Sequence, residues 1–160
     1  MFTGEYEHVI DAKQRLAIPA ELRSQLDPKR HGEGFYVVMG QNDALWVWPE
    51  RTFESMAGAL EGSLLQGEEM MEYEEMLFSQ AAKVEFDKSG RIRLPERVIK
   101  LGRLGQQVVV LGVKDHLELR DREEWEARRQ DKLAQQREIM ARARRAWQEQ
   151  QRKRNGEASA

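Results

Sequence analysis

The sequence predicts an α+β fold made of two tandem copies of a single ββαββ unit. Three observations predict it. The segments DAKQRLAIP (11–19) and DKSGRIRLP (87–95) align without a gap, so that Asp11, Arg15, Leu16, Ile18 and Pro19 fall on Asp87, Arg91, Ile92, Leu94 and Pro95. Downstream, VVMGQNDALWVWPERTFE (37–54) aligns with VVLGVKDHLELRDREEWE (109–126), bringing Val38, Gly40, Asp43, Leu45 and Glu54 onto Val110, Gly112, Asp115, Leu117 and Glu126. Within each copy, short β-rich runs alternate with polar turns and one Pro-led helix. Two copies are too few for a solenoid. A pair instead makes one pseudo-symmetric unit, the covalent equivalent of a homodimer.

The elements follow from local chemistry. Tyr6–Ile10 and Leu16–Ile18 flank the polar stretch Asp11–Arg15 and read as a β-hairpin. Pro19 opens a short helix, since its missing N–H costs nothing at the first helical position. Leu22 and Leu26 supply one apolar stripe, and Asp27-Pro28 is expected to end the helix. Phe35–Met39 and Ala44–Trp48 form a second hairpin across Gly40-Gln41-Asn42-Asp43. The second copy repeats this with strands at 83–86, 91–94, 107–113 and 116–120 and a helix from Pro95. The offset between copies shrinks from 76 to 72, which places a four-residue deletion in the loop 101–106.

Between the copies, helices are expected at 49–65 and 68–78, broken at Gln66-Gly67. Met70, Met71, Met76, Leu77 and Phe78 give this linker an apolar face suited to core or subunit packing, because Met fills irregular gaps. From Asp121 to about Arg154 the pattern is one long helix, with Leu133, Met140 and Trp147 seven apart on a shared face. That stripe is too thin for an independent coiled coil and is expected to dock on the body or on a neighbouring subunit. The expected organisation is therefore 1–50 first half, 51–80 helical linker, 81–121 second half, 122–154 C-terminal helix and 155–160 disordered tail.

Charge is segregated along the chain although the net charge is only −2. Residues 54–75 hold seven acids and no base, whereas 83–103 hold seven bases against three acids and 128–154 ten against three. Local fields of this kind govern association with polyanions more than the net charge does. There is no cysteine, which excludes disulfide and thiolate chemistry. The N-terminus lacks the basic and apolar regions of a signal peptide, and no apolar run reaches the roughly 20 residues of a membrane helix. A cytoplasmic protein without membrane association is expected.

Catalytic constellations are missing. His8, His31 and His116 are scattered and show no metal-ligand spacing, and no phosphate-binding glycine loop is present. Two halves that each contribute an Asp could suggest an aspartic-protease dyad. That chemistry needs two carboxylates sharing a proton, and an Arg beside each Asp favours ionisation of both. No enzyme, cofactor or metal site is expected. In a hairpin the Asp-x-x-x-Arg turn has a plain structural use, since Asp accepts backbone N–H bonds. Presented twice about a two-fold axis, it also offers Lys13, Gln14 and Arg15 from one copy and Lys88, Ser89, Arg91 and Arg93 from the other. Arg makes bidentate contacts to guanine or phosphate, Lys a point contact to phosphate, and β-ribbons can enter a major groove.

The opening MFTGEYEHVIDAKQRLAIP and the second turn DKSGRIRLP resemble the two motifs of the MraZ family of bacterial regulators, in order and at full-domain spacing, over residues 1 to about 126. The resemblance implies two tandem AbrB-like halves interlocked as a pseudo-two-fold swapped-hairpin β-barrel. It implies a DNA-binding transcriptional regulator that assembles into a homo-oligomeric ring, is cytoplasmic and nucleoid-associated, and recognises short direct repeats in double-stranded DNA upstream of the cell-division and cell-wall operon. The family's paired motifs carry over onto Asp11 and Arg15, and onto Asp87 and Arg91. The expected DNA-binding residues are Arg15, Arg91, Lys13, Lys88 and Arg93, with Asp11, Asp87 and Gly90 shaping the turns. This chain departs from the family where Gln14 replaces the turn glycine that the second copy keeps as Gly90, and where Ser89 stands opposite Lys13. The alternative is an oligomeric structural or interaction protein acting through its helices.

Overall fold

A computed structural model of the chain describes residues 1–60 and 67–157. Eight strands are formed: β1 Phe2–Val9, β2 Arg15–Ala17, β3 Gly34–Met39, β4 Leu45–Pro49, β5 Ala82–Glu85, β6 Arg91–Arg93, β7 Gln107–Lys114 and β8 His116–Asp121. The helices are α1 Ala20–Arg23, α2 Pro28–His31, α3 Glu50–Gly58, α4 Glu68–Gln80, α5 Glu96–Leu101, α6 Arg122–Ala134 and α7 Gln136–Glu157. Met1–Arg122 form one compact unit and Glu123–Ala160 another.

The strand order in the large antiparallel sheet is β1-β7-β8-β4-β3-β5, and β2 and β6 pair in a separate two-stranded ribbon. Exchanging the two halves of the chain reverses this order and leaves it unchanged, so the topology is two-fold. The ladders place the axis. Leu16 pairs with Ile92 at the centre of β2·β6, and Trp46 with Glu118 at the centre of β4·β8. In both cases the partners are equivalent residues of the two copies.

Two hairpins expected from sequence exchange partners. The turn at Asp11 is closed by Asp11 N–H donating to the Arg15 carbonyl at 3.0 Å, yet β1 then pairs with β7 and β2 with β6. In the second copy β5 likewise pairs with β3 rather than with β6. A closed barrel is not formed. Closure would need a continuous ladder from β1 to β5, and the remaining strands among the described residues, β2 and β6, are three residues long and bond to each other. Among the described residues one isolated bridge, Phe86 to Ile92, joins the ribbon to its neighbouring strand.

The core is shared between the copies. Leu16, Ile18 and Leu22 from the first and Ile92, Leu94 and Val98 from the second are all buried, as are Phe35, Val37, Val47, Val108, Val110 and Leu117. The copies are out of register by one residue in their third strands. Val37 and Val110 both face this core, whereas Val38 lies on the opposite face with Trp48 and Phe53. The second hairpin turn is one residue shorter, which the gapless alignment of 37–54 with 109–126 conceals. Gly40 and Gly112 therefore serve different purposes: Gly40 opens a turn and Gly112 pairs with Gly4 inside a ladder.

Helix boundaries also differ from expectation. Asp27-Pro28 starts a helix rather than only ending one: the Asp27 carboxylate accepts the Lys29 N–H at 2.9 Å and caps α2. The second copy has no counterpart of α2, in keeping with its shorter loop. The segment expected as one helix over 122–154 is two, α6 and α7, and α7 runs on to Glu157 into the stretch expected as a disordered tail. Residues 61–66, including the expected continuation of the linker helix to Leu65, and residues 158–160 lie outside the described residues.

Candidate nucleic-acid interface

Both Asp-x-x-x-Arg turns are built the same way. Asp11 Oδ1 accepts the backbone N–H groups of Lys13 and Arg15, each at 2.9 Å, and Oδ2 accepts Arg15 Nε at 2.7 Å. Asp87 repeats this with Ser89 at 2.8 Å, Arg91 at 3.0 Å and Arg91 Nε at 2.8 Å. The backbone N–H of the Arg, followed by its guanidinium, holds each carboxyl below the ordinary range against the opposing effect of burial. Each carboxylate thus fixes its arginine through Nε. Among the described residues the two terminal amino groups of Arg15 and Arg91 find no protein acceptor, and each side chain is 32% exposed.

The residue immediately before each Arg has a left-handed backbone. Gly90 sits at φ 72° and Gln14 at φ 62°. Each closes its own turn, with Gln14 N–H donating to the Asp11 carbonyl at 2.9 Å and Gly90 N–H to the Asp87 carbonyl at 3.1 Å, and its carbonyl joins the halves: that of Gly90 accepts Ile18 N–H at 3.2 Å, and that of Gln14 accepts Leu94 N–H at 2.9 Å. Gln14 therefore adopts a conformation that glycine would adopt more readily.

The pairing of β2 with β6 brings the two turns together. Arg15 lies opposite Arg93, and Ala17 opposite Arg91, while Leu16 and Ile92 between them point into the core. The outward face of the ribbon thus carries three arginines in four positions, with a turn at each end. Two positions along a strand separate the ends by roughly 7 Å. Like charges directly opposite in a ladder oppose pairing. The exposed side chains of Lys13, Lys88 and Arg93 have no carboxylate partner among the described residues.

Sequence reasoning missed two features. Arg23 in α1 reaches across to the second turn, and its Nε donates to the Ile18 carbonyl at 3.1 Å. Its guanidinium lies over Gly90 so closely that a Cβ there would meet NH1 at 2.2 Å. No spacing rule joins residue 23 to a turn in the other copy. The second feature is a polar and aromatic network on the sheet face opposite the core. His116 stacks on Trp48 with ring centroids 4.3 Å apart, its Nδ1 lies 2.9 Å from Asp115 and its Nε2 3.7 Å from Glu118. Glu118 also accepts Trp46 Nε1 and Arg120 Nε, both at 3.1 Å. Among the described residues no cluster of three or more His, Asp or Glu is placed to hold a metal ion. None of their helices is long and apolar enough to cross a membrane.

The family model described as "MraZ protein, putative antitoxin-like" matches residues 1–72 and 77–150. A protein of Roseiflexus castenholzii named transcriptional regulator MraZ is 36% identical over 126 residues, which is 79% of this chain and 85% of the relative. Proteins of the same name from Moorella thermoacetica and Finegoldia magna are 36% and 32% identical over the same shares of each chain.

Proposed function

The chain belongs to the MraZ family, and from that premise we propose that it is a transcriptional regulator that binds double-stranded DNA through the β2·β6 ribbon and its two flanking turns. The observation that carries this reading is the convergence of both Asp-x-x-x-Arg turns on one ribbon face. Arg15 and Arg91 are each held by one carboxylate contact that leaves the guanidinium fork free. A fork fixed at Nε suits bidentate contact with guanine or phosphate. Lys13, Lys88 and Arg93 neutralise flanking phosphates. The repulsion between Arg15 and Arg93, already eased by Asp11 beside Arg15, is offset further against a polyanion.

The DNA sites are short direct repeats upstream of the protein's own operon, one that serves cell division and wall synthesis, and the protein acts in the cytoplasm at the nucleoid. The exchange of strands between halves supports reading them as two AbrB-like units that share their hairpins. The role is binding without catalysis or cofactor. Self-association into a ring is supported by the apolar groups left exposed on α4, where Met70, Met71, Met76 and Phe78 meet solvent. The same exposed helical residues are what would favour the second reading, an interaction protein working through its helices.

The test is fluorescence anisotropy of upstream DNA against a scrambled duplex over a range of salt. Six phosphate contacts give a slope of about −5 in log K against log salt. Arg15→Ala combined with Arg91→Ala should abolish preferential binding and leave the assembly size, measured by light scattering, unchanged. Loss of assembly in that double variant would make the arginines structural. Equal, salt-insensitive binding to both duplexes would favour the second reading.

A further inference from the structure

The ribbon is two-fold in backbone but not in charge. Position 93 on β6 is Arg, and its counterpart on β2 is Ala17. The end of the ribbon near the first turn therefore has two guanidiniums, Arg15 and Arg93, while the end near the second turn has Arg91 alone. The structure places another arginine where this one is lacking. Arg23 donates from Nε to the carbonyl of Ile18, the residue after Ala17, and lays its guanidinium over Gly90, the residue before Arg91. Among the described residues NH1 and NH2 of Arg23 have no protein acceptor. Arg23 is thus anchored through Nε as Arg15 and Arg91 are, here by a backbone carbonyl rather than a carboxylate, and its side chain is exposed. The second copy has Ile99 at the position equivalent to Arg23, and Ile99 packs against the core.

We propose that Arg23 is a DNA-contacting residue, a fourth arginine of the interface. It takes a phosphate at the second-turn end and supplies the cation that Ala17 does not. This rests on the reading of the ribbon as the DNA-binding face. It also assigns a reason for Gly90 beyond its backbone angle: any side chain there would displace the guanidinium. The two ends of the interface then carry equal charge, drawn from different elements.

The probe is a duplex from upstream of the gene, measured by anisotropy with the full chain. One phosphate contact contributes about 0.9 to the salt slope, equivalent to roughly eightfold in affinity at 0.1 M salt. Arg23→Ala is expected to flatten the slope by that amount and weaken binding about eightfold. Arg23→Lys should keep most of the slope. Ala17→Arg introduced into the Arg23→Ala chain should restore it, because position 17 is the counterpart of Arg93. A merely structural Arg23 would lower the thermal midpoint and leave the slope alone, and the Ala17→Arg rescue would fail. A wild-type slope in a folded Arg23→Ala chain overturns the proposal, provided that the Arg15/Arg91 double variant has lost binding. If the wild-type chain itself shows no salt-steep preference for this DNA, the ribbon reading falls and this proposal with it.

Discussion

At the scale of single residues, the two turns differ most at Gln14 and Gly90. Both are left-handed, and only one is glycine. A non-glycine residue there costs of order 1 kcal/mol. Gln14→Gly is therefore expected to raise stability by up to about 1 kcal/mol, less the entropy glycine adds to the unfolded chain. A urea midpoint at or below wild type would show that Gln14 is not strained. His116 gives a second prediction. Burial disfavours its imidazolium, but the carboxylates of Glu118 and Asp115 outweigh that, and its pKa lies above the ordinary 6.5. Burial likewise disfavours the charged form of Glu118, yet His116 and Arg120 hold its pKa below 4.5. A raised His pKa stabilises the fold fully below about 6.5 and loses that effect as pH rises through the folded value. The Glu118 contribution is present above about 4.5 and is lost as pH falls. His116→Phe keeps the stack on Trp48 and removes the charge. The gap in unfolding midpoint between wild type and this variant should be wider at pH 5.5 than at pH 8.5. An equal gap at both would mean that the imidazolium does not stabilise the fold.

At the scale of elements, the sequence made the turns and strands legible because their chemistry is local. The Asp-x-x-x-Arg turn, the Pro before the short helix of each copy and the β-branched runs all act within a few residues. Partner choice was not legible in the residues themselves; only the family resemblance implied an interlock of the halves. The polar turn at 11–14 looks like a hairpin turn, and its closing bond forms, but the ladders leave it in opposite directions. The one-residue difference between the hairpins was hidden for a similar reason. Val38 and Val110 are the same residue type, and alignment cannot see that they face opposite sides of a sheet. The pair β1·β7 gives a direct test of the register. A Cβ on Gly112 would stand 2.4 Å from Thr3 N and 2.8 Å from Phe2 C, which are backbone atoms of the neighbouring strand. Gly112→Ala must push β1 away and is expected to cost about 1–3 kcal/mol. The readout is a lower urea midpoint with an unchanged slope of free energy on denaturant. A neutral result would place β1 in another register. Of the candidate site, the two matching turns were legible; the approach of Arg23 to Gly90 was not, since it runs between copies.

At the scale of the molecule, the two-fold pairing makes each half incomplete. Of the six ladders among the described residues, β1·β7, β3·β5, β4·β8 and β2·β6 join one copy to the other, and β3·β4 and β7·β8 stay within a copy. A separated half would keep one hairpin, which is marginal in water. It would also expose strand edges and core residues such as Leu16 or Leu94. The interface proposed for DNA would vanish with it, because the ribbon takes one strand from each copy. Folding and DNA binding are thus expected to depend on the same contacts. Residues 1–80 and 81–160 produced separately should each lack a cooperative urea transition by circular dichroism. Refolded together in equal amounts, they should recover a single steep transition whose midpoint rises with concentration, since the linker no longer supplies the local concentration. A cooperative transition in either fragment alone would show that the halves are self-sufficient domains and that the exchange of strands is not what holds the molecule together.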